Sequence, residues 1–113
     1  MKWTCEKRSE HDYREEGGEG FSITYTCVNE LGEKGWAYAI INPSICHWAY
    51  LVVCPDKQGI GSTVLPLIEE EMRSRGCKKI SCIPTQKRVE DWLIRHGYKP
   101  GEGEYTPEFT KVI

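Results

Sequence analysis

The residues best suited to chemistry in this chain lie between Val52 and Leu65, where an apolar run meets a short polar turn and then a helical pattern opened by Gly59 and Gly61. A helix N-terminus leaves its first backbone N–H groups without intrahelical partners, and the macrodipole adds partial positive charge there. Glycines at 59 and 61 remove side chains that would keep an anion away from those groups. Lys57, Gln58, Gly59, Ile60, Gly61, Ser62 and Thr63 therefore form a cradle for an anion, a pyrophosphate above all. The competing reading is a strand-to-helix turn that uses glycine for steric reasons alone.

Other reactive side chains carry less. Six cysteines are present, and Cys27, Cys46, Cys54 and Cys82 lie in or beside apolar runs, where a thiol behaves as a small hydrophobe. Reduced thiols are the expectation. No Cys-x-x-Cys occurs, and Cys46, His47 and Cys54 do not have a zinc-ligand spacing, so no metal site is expected. Cys54 or Cys82 as a nucleophile would need an activating base that the sequence does not identify. His11 and His96 read as surface residues, and Glu69, Glu70 and Glu71 as a solvated helix face.

These residues need elements to hold them. Residues 1–5 read as a short first strand and residues 6–20 as polar and loop-like. Residues 21–28 read as a strand, and residues 36–41 as its hairpin partner across a turn at 29–35. Residues 47–53 form a strand apolar enough to be central. From Gly59 to about Arg75 the period becomes helical, with Ile60, Val64, Leu67, Ile68 and Met72 on one face and Pro66 interrupting. Residues 78–83 form a short strand. Thr85 is the expected N-cap of a second helix that places Val89, Trp92, Leu93 and His96 on one face and stops at Gly97. A Gly/Pro loop around residues 100–103 leads to a last strand at 109–113. The expected architecture is one α/β (α+β) domain over residues 1–113, with helices packed on a largely antiparallel sheet.

With 113 residues, 39% hydrophobic and 28% charged, the chain has the composition of a soluble globular domain. A net charge of −2 lacks the positive field of a nonspecific nucleic-acid binder. No apolar run approaches the roughly 18 residues that cross a bilayer, and no leader-like apolar segment opens the chain. No membrane and no nucleic-acid partner are expected, and the expected location is cytoplasmic.

In its two glycine-bearing and aromatic motifs the chain resembles the GNAT superfamily of N-acetyltransferases, over roughly residues 21–113. That family's cofactor motif, Gln/Arg-x-x-Gly-x-Gly/Ala, sits between the fourth strand and the next helix, and residues 57–62 match its glycine-bearing half. A second family signature runs from an Asn through an aromatic-Tyr pair to Gly-Phe. Residues 86–98 fit its spacing, with Trp92 in the aromatic place and Gly97 and Tyr98 closing it. The resemblance implies a mixed, mostly antiparallel sheet whose central strands splay apart, and acetyl-CoA as cofactor. Its pyrophosphate would rest on the amides from Gln58 to Thr63. Its pantetheine arm would pair with the open edge at Leu51, Val52 and Val53, and Gln86 would touch it through its amide.

The chain departs from the family in three places. Asp56 replaces the Gln/Arg before the glycines, an anion that Lys57 partly offsets. The turn is about two residues short. Leu93 occupies the position of the family's tyrosine acid. Tyr98 is the nearby substitute acid, standing where the family places a packing Phe, so it reads either as acid or as core. A thiol leaves without strong acid assistance.

Many family members use a glutamate near the start of the fourth strand as base. That position falls on His47 if the short turn is a two-residue deletion, and on Ile45 otherwise; an imidazole suits the role. The amide near Val53 would stabilise the oxyanion. The implied function is acetyl transfer from acetyl-CoA to an amine-bearing acceptor, small molecule or protein, through an open acceptor side to which the N-terminal polar stretch contributes. A homodimer is compatible with this reading. The alternative is a non-catalytic acyl-CoA sensor or interaction module of the same fold.

Overall fold

The computed structural model describes residues 2–102 and 107–113. Its elements run β1 (Trp3–Asp12), a 3-10 turn (Tyr13–Glu16), β2 (Phe21–Asn29), β3 (Lys34–Asn42), β4 (His47–Cys54), α1 (Ile60–Ser74), β5 (Lys79–Cys82), α2 (Lys87–Arg95), β6 (Lys99–Pro100) and β7 (Phe109–Val112). They build a seven-stranded sheet in the order β1-β2-β3-β4-β5-β7-β6. Every neighbouring pair is antiparallel except β4 and β5. The mixed, mostly antiparallel architecture expected from the sequence is the one observed.

Alternation fixes which face of the sheet is covered. Phe21, Ile23, Tyr25 and Cys27 of β2 and Ala37, Ala39 and Ile41 of β3 are buried. Against them α1 lays Ile60, Val64, Leu65, Ile68 and Met72, and α2 contributes Leu93. The expected Leu67 is 37% exposed and Leu65 takes its place, because α1 presents positions 64, 65, 68 and 72 to the sheet. The opposite face carries Trp36, Tyr38, Ile40 and Val52, all exposed or half-buried.

Four local expectations are corrected. Residues 6–12 are strand rather than loop. β1 is an edge strand in which Trp3 alone is buried, so it shows no apolar alternation, yet β2 pairs with it from Trp3 to Asp12 across a register shift between Lys7 and Ser9. The Asp12 carboxylate then accepts from the Arg14 amide at 2.9 Å and starts the 3-10 turn.

Thr85 is not the cap of α2. Gln86 holds that position without a side-chain cap bond, and its Oε1 accepts from Arg88 Nε at 2.9 Å instead.

Glu69 is 6% exposed rather than solvated. It lies between Ile68 and Met72 on the sheet-facing side of α1, where Tyr98 Oη donates to its Oε2 at 2.9 Å and Lys111 Nζ to its Oε1 at 3.1 Å. Those donors make the buried carboxylate tolerable.

The thiols are not all reduced. Cys46 and Cys77 form a disulfide with a Cα–Cα distance of 5.7 Å, while Cys5, Cys27, Cys54 and Cys82 stay free. The partners are 31 residues apart in sequence, and the return of the chain after α1 brings them together.

Met1, and residue 103 of the expected loop, lie outside the described residues. Among the described residues, no helix is long and apolar enough to cross a membrane.

Candidate cofactor cleft

β4 and β5 diverge. Among the described residues they pair only at His47↔Ser81, where the Ser81 amide donates to Cys46 O at 2.9 Å. The other side of β4 is irregular as well. Its register with β3 slips between Ala39↔Leu51 and Ile40↔Ala49, leaving Tyr50 as an extra residue at φ 54°. A bulge of this kind bends its strand and re-aims the downstream residues. Beyond it, Leu51, Val52 and Val53 pair with β3 on one side and leave the other edge unpaired by β5.

The strand leads into the glycine turn. Lys57 (φ 61°) and Gly59 (φ 96°) both adopt left-handed backbone, and Gly59 is the N-cap of α1. A non-glycine residue at 59 would pay steric strain. Gly59 brings no capping side chain, so the first-turn amides of Ile60, Gly61 and Ser62 keep the unmet donor capacity of a helix start. Thr63 closes the turn, its amide and Oγ1 both donating to Gly59 O at 3.3 and 3.1 Å.

Two residues that the sequence reading did not single out hold this turn. Buried Trp3 donates its indole N–H to Gln58 O at 2.8 Å, tying the cradle to β1. Gly35 lets β3 approach so closely that a Cβ there would come within 2.6 Å of Cys54 O.

α2 lines the other side. Trp92 Nε1 donates to Ser62 Oγ at 3.0 Å, and His96 Nε2 lies 3.1 Å from the same oxygen. The Trp92 ring packs on Gly61, 3.4 Å from where a Cβ would stand. His96 is therefore half-buried rather than free on the surface, and burial is the main cause lowering its pKa. At the lip, Arg88 brings its guanidinium within 3.9 Å of Asp56 while binding Gln86. Both groups of the Arg88–Asp56 pair are exposed, so the attraction is weak, yet it places a cation beside the anion that occupies the family's Gln/Arg position.

The expected catalytic residues separate. Trp48, Ile80 and Cys82 are buried on the helix side, so alternation turns His47 and Ser81 to the opposite face, and His47 Nδ1 lies 2.9 Å from Ser81 Oγ. Ile45 is 65% exposed and precedes β4. Tyr98 is 2% exposed; its hydroxyl accepts from Trp48 Nε1 at 3.2 Å and donates to Glu69, and burial, with the Glu69 charge, pushes its pKa far up. Leu93 is fully buried. Burial holds the Cys82 thiol up at about 12, far from a reactive thiolate, whereas Cys54 is exposed at the end of β4. Among the described residues, no group of three or more His, Cys, Asp or Glu is placed to hold a metal ion.

The structure thus brings together the open edge at 51–53, the helix start at 59–63 and α2 from Gln86 to His96. An extended ligand with an anionic end fits that chemistry: unpaired main-chain groups along one strand, then helix-start amides beside two glycines.

Comparison with known proteins places this geometry in a fold. No family model matches the chain, and no curated protein does. Among solved structures the chain is similar to a nourseothricin acetyltransferase (TM-score 0.58, 15% identity, 80% of this chain and 65% of that one). It is also similar to the PaiA N-acetyltransferase of Thermoplasma acidophilum in complex with coenzyme A (TM-score 0.61, 13% identity, 89% of this chain and 65% of that one). The fold is that of these two N-acetyltransferases, and the chain spans about two thirds of the length of each.

Proposed function

We propose that this protein transfers acetyl from acetyl-CoA to the amine of an acceptor. The observation that carries the proposal is the divergence of β4 from β5 directly ahead of the glycine-capped start of α1. The fold shared with a CoA-bound N-acetyltransferase supports it.

The bound cofactor supplies an activated acetyl thioester. The amides from Gln58 to Ser62 would hold its pyrophosphate, the Thr63 amide being spent on Gly59 O, and Leu51, Val52 and Val53 would take its pantetheine as an added strand. Lys57 and Gln86 stand at the lip. The Val53 amide receives the charge developing on the carbonyl oxygen.

His47 takes the proton of the attacking amine through a chain of waters, since it stands six residues from Val53 along β4, with Ser81 holding its ring. The acceptor arrives on the sheet face opposite the helices, where Trp36 is 45% and Val52 47% exposed. There the 3-10 turn of the N-terminal stretch reaches over β3, with Tyr13 Oη 2.9 Å from Tyr38 Oη.

The second reading, an acyl-CoA sensor without turnover, is favoured by one observation. Leu93 is buried at the family's acid position, and the substitute phenol, Tyr98, is committed to Glu69. One assay separates the two: incubation with acetyl-CoA and a broad amine panel, scored by thiol release. Acceptor-dependent release that falls in His47→Ala supports catalysis. Saturable acetyl-CoA binding with no release from any amine supports the sensor.

A further inference from the structure

We propose that the Cys46–Cys77 disulfide is a redox-controlled clip at the hinge of the cofactor cleft, whose reduction loosens the junction of β4 and β5 and weakens acetyl-CoA binding. The inference rests on the acyl-CoA reading above and adds its regulation.

The position of the bond carries the argument. Cys46 immediately precedes β4, and Cys77 stands two residues before β5. Between the two strands the sheet supplies one residue pair, His47↔Ser81, with the Ser81 amide on Cys46 O at 2.9 Å and Ser81 Oγ on His47 Nδ1 at 2.9 Å. The covalent tie therefore falls where the strands part, next to the residue assigned as base. A single pair at the end of two diverging strands is prone to local opening once such a tie is gone. β4 stays paired with β3 from His47 to Cys54, so the strand that loosening frees is β5, from which the chain leads to Gln86 and α2, the other wall of the cleft.

The oxidation is also selective. Cys5 and Cys27 face each other in register across β1 and β2 and remain thiols, as do Cys54 and Cys82. Cys77 is 2% exposed and Cys46 half-buried, so a reductant enters at the Cys46 sulfur. A dithiol's thiolate attacks that sulfur and the S–S bond breaks, leaving a mixed disulfide and a Cys77 thiolate that takes up a proton. The second thiol of the reductant then displaces Cys46. The protein gains two electrons and two protons, and the dithiol leaves as a cyclic disulfide.

The test uses the full chain with and without dithiothreitol, and acetyl-CoA as probe because it has no free thiol to exchange with the clip. Alkylation and intact mass should count four thiols before reduction, the number of free cysteines, and all six cysteines after. On reduction, hydrogen exchange at the Ser81 amide should rise about tenfold and the acetyl-CoA dissociation constant at least threefold. A Cys46→Ser/Cys77→Ser variant should match the reduced protein and ignore dithiothreitol, whereas Cys5→Ser should respond as wild type. If the double variant does not fold, reduction of the wild type gives the same comparison.

Six alkylated thiols in the untreated protein, unchanged Ser81 exchange, or an equal dissociation constant in the two states would each overturn the clip. If Ser81 exchange responds but neither state binds acetyl-CoA, the acyl-CoA reading fails and the coupling falls with it, a result distinct from equal binding in both states.

Discussion

The Nδ1 atom of His47 lies 2.9 Å from Ser81 Oγ at the one described residue pair that joins β4 to β5. A titratable ring is thus fixed by a hydroxyl from across the cleft, on the sheet face that the two helices leave open. Orientation of His47, the proposed base, and separation of the strands share one hinge.

Replacing His47 by Ala should therefore lower acceptor-dependent acetyl transfer by about 100-fold or more, the usual worth of a positioned base. Acetyl-CoA should still raise the Tm of the variant, because the cradle is untouched. Ser81→Ala should lower transfer less, since the imidazole stays and loses only its orientation. Steady-state rates and thermal shifts on the two variants check this; unaltered transfer in His47→Ala would remove His47 from the mechanism.

Gly59 adopts a φ of 96°, whereas Gly61 is helical and its methyl would meet only the Trp92 ring at 3.4 Å. Gly59→Ala should cost about 1–2 kcal/mol of stability from left-handed strain and weaken acetyl-CoA binding. Gly61→Ala should fold normally and weaken binding only as far as the added methyl crowds the anion. Chemical denaturation and calorimetric titration separate the two effects, and equal stability losses would contradict the assignment.

Tyr98→Phe removes the donor to Glu69 and the acceptor of Trp48 together. Leaving these buried groups short of partners should cost about 1–3 kcal/mol. The transfer rate of the folded variant should stay within about threefold of wild type, because the phenol lies in the core. A 100-fold fall in kcat at unchanged acetyl-CoA affinity would instead make Tyr98 the acid.

The pH dependence of stability should carry a signature of His96. Burial lowers its pKa below the ordinary 6.5, Lys111 and Arg95 push the same way, and Glu69 opposes them. The unfolded chain then binds more protons than the folded one near pH 6, so stability rises with pH through that window. The contribution is fully present above 6.5 and is lost as pH falls through the depressed folded value. His96→Gln should flatten the Tm profile between pH 5 and pH 7. A slope identical to wild type there would exclude His96 as its source.

The sequence made the strand, glycine turn and helix start legible because their signal is local: two glycines after an apolar run, followed by helical periodicity. β2 to β4 were readable for the same reason, through alternation and turn residues. What escaped is set by contacts distant in sequence. Trp3 reaches Gln58 across 55 positions, and Cys46 meets Cys77 across 31. β1 was missed beyond its first residues because an edge strand with one buried side chain needs no apolar pattern. Glu69 was taken for solvent because three adjacent glutamates straddle the boundary between core and surface on α1, and its donors, Tyr98 and Lys111, arrive from the end of the chain. Arg88, the cation beside Asp56, comes from a different helix.

Amide hydrogen exchange with and without acetyl-CoA tests the central claim most directly. Binding should slow exchange at residues 58–62, where amides free of intrahelical partners meet the pyrophosphate, and at residues 51–53, where the strand edge gains a partner. Acetyl-CoA at millimolar concentration that protects neither segment, or protects a different surface, would contradict the account.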